Sequence, residues 1–387
     1  MPIKLQAAEV RKFNNFAEIE QYVSEEEERV ITVPLEKLLN NNASFAEDQY
    51  FGARSSWFRF TEDGFKSFCS VFSIPFKFIS SLQELDLASK ALNDYIRQSE
   101  VREKMRRFQL VVDKPSMAVL GVTSLSYRQY SNKEFIEVLK NSFPKTINEF
   151  KFTPSYVINT KLYLRVLSPD IEVGLVSGLG GTGTDVSKIG LQFCNSMVGD
   201  SAIKISFFVY RLVCANGLVM PAGGSSGKVI HSGSEDTFEK RITASVRPVL
   251  MRIKSVASWI TDLNGIEYNP KVLVEAGGAK KVYDVIGLSR SNAKIRKSLK
   301  GKAITQFDIE VISKYPEWYG GDLSRRVFDS IFRSNQSMFD FINVFTEYAK
   351  KLPPRRQMEV EEKTGELAKW IIENKKKLDA RHTRAES

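Results

Sequence analysis

The stretch from Lys188 to Met220, KIGLQFCNSMVGDSAIKISFFVYRLVCANGLVM, constrains the fold more than any other part of the chain. It reads as strand, turn, long strand, Asn-Gly turn and strand. Within it Ile203, Ile205, Phe207 and Val209 fall on one face, and Lys204, Ser206, Phe208 and Tyr210 on the other, the period of two that marks a strand. Continuing that period puts Arg211 on the apolar face, where an unpaired charge is costly. Arg211 therefore needs an acidic partner, a ligand, or a bulge that turns it outward. Asn216 and Gly217 tolerate positive φ and predict the hairpin turn that follows.

Around this block the order of elements predicts an α+β fold, a mainly antiparallel sheet backed by helices, with a basic all-helical C-terminal extension. Residues 1–50 read as a peripheral segment, 51–234 as the α+β core, 235–350 as a basic helical region and 351–387 as a C-terminal helix and tail. Residues 91–108 read as one helix with cations near its end. FQLVVD (108–113) and SMAVLGV (116–122) read as a hairpin that opens the core sheet, and Ser131 as the cap of a helix running to about Phe143. From Phe238 to Ile260 apolar residues recur at steps of three and four, a helical stripe that Pro248 should kink or divide.

Charge is unevenly placed. Residues 1–240 hold 28 Lys and Arg and 28 Asp and Glu, whereas residues 241–387 hold 28 and 18, so the net +10 lies in the C-terminal part. A basic module on a neutral one is the electrostatic footprint of a nucleic-acid binder. Arg247, Arg252 and Lys254 lie off the apolar stripe, and a second cluster holds Arg290, Lys294, Arg296, Lys297 and Lys300. Aromatics interleave with cations at Tyr127-Arg128, Lys161–Tyr163 and Tyr210-Arg211, as in proteins that stack bases while tracking a phosphate backbone. Lys161, Tyr163 and Arg165 would share an exposed sheet face with Lys204.

Enzymatic chemistry finds less support. The only histidines are His231 and His382, and Cys69, Cys194 and Cys214 show no paired spacing, so no metal set, cofactor or catalytic residue is assigned. GLGGTGTD, with Gly178, Gly180, Gly181 and Gly183, lacks the Gly-Lys-Ser/Thr ending of a phosphate loop and reads as a strand connection. Asp170, Glu172 and Asp185 are the acids a metal-dependent nuclease would have to use. Three cysteines, no apolar run of membrane-spanning length and no signal-like N-terminus lead to an expectation of a cytoplasmic protein without a membrane role.

RLVCANGL, preceded by GLQFCNSMVG, resembles the signature of the phage- and plasmid-associated family known as domain of unknown function 932. WFRFTEDGFKSFCSVFSIPFKFI (57–79) and MAVLGVTSLSYRQYSNKEFIEVL (117–139) resemble its early helix and its strand, Tyr-Arg turn and helix, and the likeness runs over roughly residues 55–350. It implies a home in phages, plasmids and other mobile elements and supplies no catalytic residue. The expected function is binding of nucleic acid, first of all single-stranded DNA, in recombination, replication or repair. The outline is similar to Rad-type single-strand-annealing proteins, which implies a homo-oligomeric ring or filament built by sheet-edge pairing. Arg128, Lys204 and Arg211 would then meet phosphates and Tyr127 and Tyr210 would stack on bases. The alternative is a structural or regulatory protein whose Arg211 is ion-paired and whose basic helices bind an acidic protein partner.

Overall fold

The computed structural model describes residues 5–6, 9–46, 50–54, 56–82, 85–143, 149–176, 184–199, 201–212, 216–222, 227–229, 235–286 and 336–378. In chain order the first 60 residues hold β1 (Val10–Phe13), α1 (Phe16–Arg29), β2 (Val30–Pro34), α2 (Leu35–Leu39), β3 (Ser44–Phe45), β4 (Phe51–Ala53) and β5 (Ser56–Phe60). There follow α3 (Glu62–Val71), α4 (Phe76–Ser81), α5 (Leu85–Ile96), α6 (Ser99–Met105), β6 (Phe108–Asp113), β7 (Ala118–Ser124) and α7 (Asn132–Ser142). The strand block is β8 (Lys151–Ile158), β9 (Lys161–Val176), β10 (Thr184–Ser196), β11 (Ile203–Arg211), β12 (Asn216–Pro221) and β13 (Lys228–Val229). Five further helices are described, α8 (Glu235–Gly265), α9 (Pro270–Glu275), α10 (Ala279–Ile286), α11 (Met338–Ala349) and α12 (Pro354–Glu373). This is an α+β fold.

The strands form two sheets instead of one. A seven-stranded antiparallel sheet runs β1-β8-β9-β10-β11-β12, with β13 also on β11, and a six-stranded sheet runs β2-β6-β7-β5-β4-β3. The expected 108–122 hairpin forms, as β6 and β7, but in the second sheet, where β5 joins β7 in parallel. Phenylalanine chemistry explains the split. Phe45, Phe51, Phe58, Phe60, Phe65, Phe68 and Phe72 build a separate core under α3 and α5, with ring centroids of neighbouring pairs such as Phe68 and Phe72 only 4.8 Å apart.

Residues 1–50 are not peripheral. β1 closes one end of the large sheet, β2 closes one end of the small one, and Ile19 and Val23 of α1 are buried in the main core. The 91–108 segment is two helices, because Gln98 takes an extended conformation. Ile96 and Val101 both enter the phenylalanine core, yet five positions are about 140° apart on an unbroken helix. The break at Gln98 brings them to the same side.

The strand block keeps its expected alternation. Ile203, Ile205, Phe207 and Val209 join the stripe Phe238, Ile242, Val246, Val249, Ile253, Val256 and Ile260 of α8 in the main core. Pro248 does not divide α8, which runs through it. Ser131 caps α7 in a full capping box with Glu134, and Ser337 with Asp340 does the same for α11. No described helix is long and apolar enough to cross a membrane.

Asn216 and Gly217 are not turn residues. Asn216 pairs with Arg211 and Gly217 with Tyr210, so both begin β12 and the connection is 212–215. A Cβ at Gly217 would sit 2.5 Å from the Phe208 ring, so packing demands glycine there, not positive φ. The ladder runs through the turn-like dipeptide itself, in a register that pairs Leu218 with Val209 and Met220 with Phe207 and buries both.

Candidate nucleic-acid interface

The residues expected to face a ligand divide into three groups. The first is the outer face of the large sheet. Register places Tyr163, Cys194 and Lys204 in one row across β9, β10 and β11, and Arg165, Gln192 and Ser206 in the next. Lys161, Tyr163, Arg165 and Lys204 thus share a face, as expected, but that face is not open. The N-terminal half of α12 lies over it.

Arg165 is buried there. Its Nε donates to Gln192 Oε1 at 2.7 Å, its Nη2 pairs with Glu361, and its guanidinium sits 4.6 Å over the Phe208 ring. Glu361, fully buried, also accepts from Gln357 Nε2 at 2.7 Å. Lys204 Nζ lies 3.2 Å from Glu362. Burial works against that ammonium, yet Glu362 holds it above its ordinary range. A cleft of about 160 Å³ remains at the mouth, where Lys161, Lys204 and Arg355 face Asp63, Glu359 and Glu362. The cations of this face are neutralised from within the chain. Cys194 beside them is an inert buried thiol, pushed by burial up to about 12.

The second group is the 127–130 turn and Arg211. Tyr127 is half-buried and its hydroxyl donates to the Ser196 carbonyl at 3.4 Å. Arg128 lies 4.0 Å from Glu134 of α7. Tyr210 packs half-buried beside Phe208, ring centroids 6.0 Å apart. Arg211 does point to the apolar side, and its partner is acidic: Nη1 lies 3.5 Å from Glu347 of α11. Of the three outcomes open to an inward arginine, the fold uses the ion pair.

The third group is α8. Arg247, Arg252 and Lys254 are exposed, as is Lys240 one turn or more before them. Arg252 donates to the Ala222 carbonyl at 2.9 Å and covers Trp259 at 5.7 Å. Among the described residues Lys240, Arg247 and Lys254 make no hydrogen bond or ion pair. From Lys240 to Thr261 the sequence contains five cations and no acid; the acids of this helix, Glu235, Asp236, Glu239 and Asp262, stand at its two ends. Lys240 and Lys254 are 14 positions apart, about 21 Å along the axis. The remaining expected contacts, Arg290, Lys294, Arg296, Lys297 and Lys300, lie outside the described residues, as do Gly178–Gly183, Cys214, His231 and His382. The glycine segment does connect β9 to β10, antiparallel partners that meet at Val176 and Thr184.

The acids do not converge. Asp170 and Glu172 are exposed on β9, and Glu172 lies 3.9 Å from Lys188, its register partner. Asp185 pairs through its backbone with Leu175 on the same hairpin. Among the described residues no three His, Cys, Asp or Glu side chains are grouped to hold a metal ion.

Sequence reasoning missed Glu361 and Glu362 as the acids over the sheet. It also missed Glu26, a buried carboxylate of α1 within the acidic run 25–28. The i, i+3 and i+4 spacing of Ile19, Val23 and Glu26 was the available signal, since it puts Glu26 on the buried side of α1.

These features define an α+β protein in which two sheets meet and a basic helix presents its cations outward. The profile of the family described as Domain of unknown function (DUF932) matches residues 119–370, from β7 to α12, and the chain belongs to that family. The match begins well after the 57–79 segment and extends through most of α12. No curated protein and no solved structure matches the chain.

Proposed function

We propose that this protein binds nucleic acid through the outward face of α8, with single-stranded DNA as its first substrate. One observation carries the reading: Lys240, Arg247 and Lys254, at steps of seven, project from one side of a 31-residue helix on a stretch, 240–261, without a single acid. A row of cations with no acid between them attracts a phosphate backbone whatever its sequence. The cluster at 290–302 adds charge of the same sign in the same part of the chain. On this reading the protein works in the cytoplasm during recombination, replication or repair of a phage or other mobile element. Strand annealing is the activity to look for, without catalysis by the chain itself.

The interface differs from the sheet groove that the aromatic and basic pattern first indicates, because α12 covers that face. α12 packs along β12, so among the described strands assembly through an edge of the large sheet falls to the two-residue β13 or to β1. β1 is four residues long and bears Arg11 and Lys12, charges that discourage pairing between edges.

The test is fluorescence anisotropy with labelled single- and double-stranded oligonucleotides across a salt series. Binding through three or four phosphates gives a log–log slope of about −2 to −3 for a single strand. Absence of binding to either at low salt, by folded protein, refutes the reading. A second reading rests on Met251, 80% exposed in the middle of the cationic row. An apolar side chain there suits an acidic protein partner with an apolar contact. Competition by oligonucleotide separates the two, and Met251→Ala weakens only the protein complex.

A further inference from the structure

A second polar site lies between the two sheets, far in character from the α8 surface. Glu26 is 1% exposed. Its Oε2 accepts from Asn132 Nδ2 at 2.7 Å, and Asn132 Oδ1 in turn accepts from Asn195 Nδ2 at 2.9 Å, tying α1 to α7 and β10. Its Oε1 has no partner. Arg29 Nε and Asp113 Oδ1, 3.2 Å apart in an ion pair, have no hydrogen-bond partner either. All three residues line one cavity of about 30 Å³, with Glu9, Thr61 and Asn159. That volume accommodates a water molecule, and three of the lining residues each carry an unpartnered polar atom, as many partners as an internal water takes.

We propose that this cavity is a proton-exchanging joint, in which Glu26 and an ordered water link the two sheets and make their packing sensitive to pH. The walls come from both sheets: Asp113, Ser116, Ala118 and Leu120 from the small one, and Asn159 from the β8–β9 turn of the large one. Val111 and Leu120 of the small sheet meet Val198, just after β10, beside it. The charged groups facing Glu26 are Arg29 from its own helix, Glu9 from the segment before β1, and Asp113 from β6. α7 and β10 contribute only the uncharged Asn132 and Asn195.

Burial dominates the titration and pushes the Glu26 carboxyl up to about 7, the Asn132 hydrogen bond and Arg29 pulling down, Glu9 and Asp113 pushing up. An unfolded glutamate titrates near 4.3. Between these values the folded chain holds a proton that the unfolded chain has released. Stability from this group is therefore full below the unfolded value and is lost as pH rises through about 7.

The experiment is thermal unfolding of the full chain and of Glu26→Gln from about pH 5.5 to about pH 8.5. Gln keeps the shape and removes the titration. The wild type should lose several degrees in Tm across neutral pH, and Glu26→Gln should lose much less and exceed the wild type at the alkaline end. Superimposable profiles overturn the proposal. Infrared difference spectra of the wild type between about pH 5.5 and 8.5 serve if the variant does not fold. Loss of a buried protonated carboxyl band supports the joint, and a carboxyl already ionised at the acid end overturns it.

Discussion

Arg165 and Arg211 show how one residue type takes two roles in one sheet. Arg165 is surrounded: Gln192, Glu361 and the Phe208 ring leave its guanidinium 5% exposed. Removing Glu361 strands that charge in a dry site. Glu361→Ala should cost about 3–5 kcal/mol in urea unfolding, whereas replacing both partners by apolar residues of similar volume should cost far less. Arg211 is milder, because Glu347 is 51% exposed and water competes for the pair. Arg211→Ala should lower Tm by a degree or two and leave oligonucleotide affinity unchanged. A fall in affinity without loss of Tm would return Arg211 to the ligand. The inward placement of Arg211 was legible from the period of two, but its partner was not. Glu347 lies on a helix that no local pattern connects to β11.

Among the elements, α8 was the most legible and α12 the least. The α8 stripe sits where the steps of three and four predict, and all seven of its apolar residues are buried. Periodicity alone also placed Arg247 and Lys254 outside. Replacing both by Ala should leave Tm unchanged and flatten the single-strand salt slope by about 1.4, two contacts at about 0.7 each. An unchanged slope would move the interface off this helix. α12 read only as a C-terminal helix before a tail, because its sequence mixes charges of both signs around a few apolar residues. The fold uses it on two sides at once. Leu367, Ala368 and Ile371 enter the main core, while Met358 and Glu361 cover the outer sheet face. Gly365 lets the helix approach β12 so closely that a Cβ would lie 1.8 Å from the Val219 carbonyl.

For the whole molecule, that wrapping means the C-terminal helix belongs to the folding unit. A chain ending at Lys350 exposes the α8–α11 core and leaves Arg165 without its counter-charge. It should lose cooperative thermal unfolding, and retained cooperativity would show α12 to be an appendage. The same scale decides the two sheets. The strand character of 108–113, 116–122, 152–177 and 188–220 was foreseeable, yet the sequence reads as one strand over 152–168 and another over 171–177. The fold instead breaks at Asn159-Thr160 and runs β9 unbroken to Val176, and alternation does not say which strands share a ladder. The phenylalanines between Phe45 and Phe72 drew β6 and β7 into a second core with β5 and β2. By itself the sequence determined the alternation of the strand block, the inward arginine, the Ser131 cap, the α8 stripe and the concentration of positive charge, because each follows from a repeat or a spacing within a few turns of chain. The tertiary structure alone decided that α12 closes the basic sheet face and that Glu26 lies at the junction of the sheets. Arg165 and Glu361 are 196 positions apart, and no local period records a pairing over that distance. It arises only when burial of two faces brings the middle of the chain and its C-terminal helix to one place.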